Sequence, residues 1–167
     1  MSEAEKDLLR GYLAAQRRHV LGILEGLDEG QLLRPMLPSA WSCAALVRHL
    51  TVDVERFWFR GAMAGDREVI DVVMGAGEDG WQIPPGMSPD AVLEGYRAET
   101  ERADAVIAVT ALDAAPRWWP AHLFADWQLD NLRDVLLHVV TETATHAGHL
   151  DAARELIDGR QWLVLTD

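Results

Sequence analysis

A single cysteine, Cys43, excludes an internal disulfide, and a single lysine, Lys6, leaves arginine to supply nearly all of the positive charge. Cations are scarce overall: 15 Lys and Arg stand against 27 Asp and Glu, a formal net charge of −12. A surface that acidic, with no basic stripe to interrupt it, repels phosphate backbones and anionic lipid headgroups. Nucleic acid and membrane surfaces are therefore excluded as partners. Long apolar runs are missing as well. No stretch approaches the ~18 residues needed to span a bilayer, and the charged start MSEAEKDLLR lacks the apolar segment of a secretory signal. The expectation is a cytoplasmic protein. Cys43 lies beside a helix start and reads as a small apolar filler, not as a nucleophile or a ligand.

What is present is an ordinary globular balance, 49% apolar and 25% charged over 167 residues, enough for one core and a single domain spanning 1–167. No two-residue alternation persists, whereas a period near 3.6 recurs in four segments. The first covers about 3–26, with Leu9, Leu13, Val20, Leu24 and Leu27 on its apolar face and Ser2 with Glu5 as a capping box. The second starts at Ser42, carries Leu46, His49, Leu50, Val54 and Phe57, and ends near Gly61 to Gly65. Ser88-Pro89-Asp90 opens the third, whose face is Leu93, Tyr96, Ala103 and Ile107. The fourth runs from about Asp130 to Asp158 and stops at Gly159, with Leu132, Val135, Leu136, Val139, Leu150 and Leu156 as its apolar face. Residues 66–87 read as a long irregular connection between helices two and three. The 110–129 connection between helices three and four is unusually aromatic, with Trp118, Trp119, Phe124 and Trp127. An all-α four-helix bundle follows.

The fourth helix contains HVVTETATHAGHL, residues 138 to 150. At ~100° per residue, positions four apart nearly superimpose. His138, Glu142 and His146 therefore form one line, with His149 in the same sector and all four facing the interior. A buried carboxylate needs compensation. Glu142 and His146 can present an oxygen and a nitrogen to one cation, and His49 on the second helix can complete the set; Asp53, one turn on, either orients His49 or is a surface acid. The other reading is a hydrogen-bonded structural network, since such spacings also support ordinary helices and neither HExxH nor paired cysteines occur.

WSCAALVRHL and LLHVVTETATHAGHLDAARELIDG, together with length and helix order, resemble the DinB-like superfamily, in the branch near mycothiol-dependent maleylpyruvate isomerase. That resemblance implies a divalent metal, zinc or nickel, on His49, Glu142 and His146, with Asp53, His138 and His149 as supporting or lining residues. Many relatives carry histidine in place of Glu142, but the mycothiol-type branch is similar in using glutamate. It further implies a small thiol, mycothiol or bacillithiol, whose metal-stabilised thiolate attacks a small electrophile, and bundle relatives suggest a homodimer. The alternatives are a metal-binding protein without thiol chemistry and a purely structural bundle. The aromatic connection either roofs a pocket or caps the bundle end, whereas Trp41, Trp58 and Trp81 read as packing residues and not as substrate platforms. His19 and His122 carry no interpretable signal.

Overall fold

The computed structural model describes residues 3–75 and 77–162; Ser2 of the expected capping box lies outside them. Among the described residues there are helices and no strand: α1 (Glu3–Leu24), α2 (Glu29–Leu33), α3 (Cys43–His49), α4 (Arg67–Met74), α5 (Pro89–Val109), α6 (Ala121–Phe124) and α7 (Leu132–Asp158). Helix α3 continues without a break into π-helical turns over Leu50–Met63, closed by bonds such as Ala64 N–H to the Phe59 carbonyl at 2.9 Å. Wide turns of this kind are commonly single and often lie at functional sites. Here they extend over 14 residues that carry one whole wall of the site described below.

The caps follow the sequence chemistry. Ser42 accepts from the Ala45 N–H, Ser88 from that of Ala91, and Asn131 from that of Asp134, each satisfying an otherwise unpaired donor. Gly159 ends α7 in the left-handed conformation at φ 78°, which a side chain would strain.

Cross-helix pairs set the topology. Glu5 meets Arg133 at 2.6 Å and His19 meets Asp151 at 2.7 Å, so α1 and α7 run parallel. The Lys6 ammonium donates to the Ala108 carbonyl and Arg17 reaches Asp104, so α5 runs against α1. His49 faces Glu142 and Trp58 meets His138, so α3 runs against α7. Thus α3 and α5 are parallel, and the chain must travel the length of the bundle between them. This is why the 64–88 connection is long. It is not wholly irregular, however. Asp66 caps α4 within it, and Val69 is buried there at 5% exposure.

The core takes Leu13, Val20, Ile23, Leu46, Phe59, Tyr96, Ile107, Leu136 and Leu150. Leu156, expected on the apolar face of the last helix, is instead 55% exposed, because it lies on the outward face with His149 and Ala152 while Ala153 and Ile157 turn to the core. Cys43 is buried, and burial pushes its thiol up to about 11, which leaves it inert at neutral pH.

The interior also holds charge that the apolar periodicity did not reveal. Arg17 binds buried Glu55 through two hydrogen bonds of 2.7 and 2.6 Å and reaches Asp104 at 2.7 Å. Burial opposes the Arg17 charge, but the two carboxylates outweigh it and hold the guanidinium above its ordinary range. Burial likewise pushes the Glu55 carboxyl upward while Arg17 pulls it back. Buried Glu99 forms a second centre with Arg60 at 3.3 Å, Arg56 at 3.5 Å and Arg102 at 3.1 Å.

Candidate metal and substrate site

His49 ends α3 where the turns widen, and its Nδ1 lies 2.8 Å from Asp53 Oδ2. An ionised carboxylate there keeps the proton on Nδ1, so the Nε2 lone pair points inward. That Nε2 is buried with no hydrogen-bond partner, and it lies 3.9 Å from Glu142 Oε1. His146 Nε2 approaches the same oxygen at 3.3 Å. One donor atom from each of the three residues falls within 4.8 Å of the others.

A buried nitrogen without a partner costs about 1–3 kcal/mol. Two imidazole nitrogens and a carboxylate oxygen, converging around that orphaned atom, fit a divalent cation with bonds of ~2.0–2.2 Å after small side-chain rotations. Three donors also leave room for a further ligand. The His146 imidazole is held below its ordinary value, first by burial and then by the neighbouring His49, while Glu142 opposes. It is thus neutral at pH 7, the form in which imidazole ligates.

The line expected from helical spacing is not uniformly interior. His49 and His146 side chains are only 12% exposed, whereas Glu142 is 37% exposed because it opens on a cavity. His149 is exposed, with its Nδ1 3.4 Å from that of His146 and its ring 5.9 Å from Trp41. Three residues past His146 it has rotated out of the bundle, so its interior placement is corrected. His138 lines the cavity and meets Trp58 edge-on at 4.8 Å.

The connection before α5 supplies parts of the site that local sequence did not signal. Trp81, read as a packing residue and not a substrate platform, is 38% exposed and packs on the His49 ring, stacked at 4.2 Å and 14°. Arg48 donates to Glu78 and, at 2.6 Å, to the Gln82 carbonyl, while Arg56 holds the other Glu78 oxygen at 2.9 Å. This clip seats Gly80 against Asp53 so closely that a Cβ would overlap the carboxylate. Gly80→Ala is therefore expected to push Asp53 off His49 and weaken metal binding by about 10–100-fold, the usual effect of losing an outer partner. Calorimetric titration with Zn²⁺ measures it, and wild-type affinity in the variant would contradict this role of Gly80.

The cavity measures about 560 Å³ and is bounded by the π-helical wall, α4, α6 and the His138–Glu142 turn of α7. Leu123 and Phe124 of the aromatic connection line it. Trp119 and Trp127 pack on Trp58 at 5.8 and 5.9 Å, so this segment both roofs the cavity and caps the bundle end. His19, uninterpretable in sequence, lies away from this site, bonded to Asp151 and stacked on Trp162 at 4.9 Å.

A family model described as mycothiol-S-transferase matches residues 8–159. The chain belongs to that family. The match takes in His49, Glu142 and His146 as well as the clipped connection with Gly80 and Trp81. No curated protein and no solved structure matches this mycothiol-S-transferase family member.

Burial holds the His138 imidazole below its ordinary value, with Glu142 pulling the other way. An unfolded histidine charges near pH 6.5. Stability contributed by neutral His138 is therefore present above about pH 6.5 and lost as pH falls toward the lower folded value. His146 acts in the same direction. In chelator-treated protein the thermal midpoint should drop as pH falls below about 6.5. His138→Gln should make that decline shallower without abolishing it; an unchanged slope would contradict the assignment.

Proposed function

We propose that this protein is a divalent-metal-dependent thiol S-transferase. In this reading it joins mycothiol, or a similar low-molecular-weight thiol, to a small electrophile in the cavity beside His49. The observation that carries the reading is the buried, unpartnered His49 Nε2, directed toward Glu142 Oε1 at the edge of a largely apolar cavity. His49, Glu142 and His146 would hold the cation, zinc or nickel suiting a mixed nitrogen and oxygen donor set.

A bound divalent cation supplies the positive charge that favours a deprotonated thiol at neutral pH. The chain contributes the rest. Asp53 holds the proton on His49 Nδ1 and fixes the ring. Trp81 covers one face of that ring and excludes water from it. The apolar wall desolvates the sulfur and places the electrophile beside it, converting an encounter into an oriented contact.

Metal-free protein should be reconstituted with Zn²⁺ or Ni²⁺ and incubated with mycothiol and 1-chloro-2,4-dinitrobenzene. The expected result is conjugate formation that chelator abolishes and that Glu142→Ala lacks. Conjugation at the same rate with and without metal would overturn the metal-dependent reading. Absence of conjugation across a panel of thiols and electrophiles, with metal bound, would favour a binding protein instead.

A further inference from the structure

The cavity beside the three donors has a pronounced chemical asymmetry. Its walls are Val69, Val72 and Val73 from α4, Phe57 and Trp58 from the π-helical turns, and Phe124 from α6. Its volume of about 560 Å³ is that of a site for a ring-sized organic molecule. The charged groups on its lining are four carboxylates, Asp53, Glu68, Glu78 and Glu142, against two guanidiniums, Arg56 and Arg60.

Both guanidiniums are already engaged by carboxylates of the protein. Arg60 donates twice to Asp66, at 2.9 and 2.5 Å, and lies 3.3 Å from Glu99. Arg56 is bonded to Glu78 at 2.9 Å and lies 3.5 Å from Glu99. Both charges are thus matched within the protein. With the open position at the three donors taken by the thiol, an anion entering the cavity would lose its hydration, find both guanidiniums engaged by carboxylates, and meet the field of the exposed Glu68. An apolar ring gains from burial against valine and aromatic side chains and meets no such opposition.

We propose that the electrophile accepted here is an uncharged, apolar and preferably aromatic molecule, and that anionic electrophiles are rejected. The inference rests on the cavity being the electrophile's site in the transfer proposed above.

Two unreactive probes of the same shape, 1,3-dinitrobenzene and 3,5-dinitrobenzoate, differ in one carboxylate. Nitroaromatic rings quench indole fluorescence, and Trp58 stands in the wall. Titrations of the full metal-free chain, without thiol, should show the neutral probe binding at least about tenfold more tightly, a difference of about 1.4 kcal/mol. Leu123 lines the cavity at 52% exposure, so Leu123→Asp should leave the fold intact and weaken the neutral probe severalfold. Glu68 is exposed on the same lining, and Glu68→Arg should narrow the gap between the probes. Equal affinities, tighter binding of the benzoate, or indifference of the probes to both variants would overturn the inference. Because no thiol is present, probe selectivity without conjugation would count against the transferase reading alone. Conjugation without selectivity would count against this inference alone.

Discussion

Arg17→Ala should lower the unfolding free energy by about 3–5 kcal/mol, the cost of leaving a buried charge without its partner. Glu55 has no exposed surface, and Arg17 donates to both of its carboxylate oxygens. Truncation removes both bonds and leaves a cavity where the stem stood, while Glu55 must either keep an uncompensated charge or take up a proton. Asp104, the other partner, is 49% exposed and can turn to water, so it adds little to the loss. The double variant Arg17→Met with Glu55→Leu tests the cause. Replacing both members of a buried pair with apolar groups of similar volume is often neutral or stabilising. Urea denaturation should therefore show the double variant recovering most of the loss. A single variant that costs less than about 1 kcal/mol would mean that Glu55 is not charged in the folded protein.

The second large effect falls on metal affinity. Glu142 is the only carboxylate in the proposed donor set, and its Oε1 lies within 3.3 and 3.9 Å of the two imidazole nitrogens. Glu142→Gln keeps the volume and removes the charge, so the cation loses both a bond and its electrostatic compensation. The dissociation constant for Zn²⁺ should rise by more than the ~10–100-fold that follows loss of an outer partner. His49→Ala should do the same from the opposite helix. Elemental analysis of protein purified without a histidine tag and without chelator gives the occupancy. Equal metal in wild type and both variants would dissolve the proposed centre.

Much of the architecture was legible because helix formation is written in local terms. The apolar period placed the four long helices, and Ser42, Ser88 with Pro89, and Gly159 marked boundaries that the structure reproduces. α4 escaped because its eight residues lie between glycine- and proline-rich stretches, although Asp66 before REVIDVVM is the signature of a capped start. The interior charges Arg17, Glu55 and Glu99 escaped for another reason. A periodicity argument assigns ionisable residues to water, and only a partner on a different helix makes their burial tolerable.

For the site, spacing of four along one helix put Glu142 and His146 on one line, and its place on the second helix, together with the resemblance to relatives, offered His49 as their third partner. The relation of Glu142 to His146 depends on a single helix axis, so the chain alone determined it, whereas the approach of His49 to Glu142 depends on packing between helices. The placement of Trp81 on His49, of Gly80 against Asp53, and of Glu78 between two arginines depends on how a 25-residue crossover lies along the bundle. So does the charge balance of the cavity, because Arg56 and Arg60 are matched by Glu78, Asp66 and Glu99 from three separate segments. Backbone chemistry over a few neighbours specifies a helix and its faces. Which groups meet across the bundle is decided by packing between segments distant in sequence, and only the tertiary structure carries it.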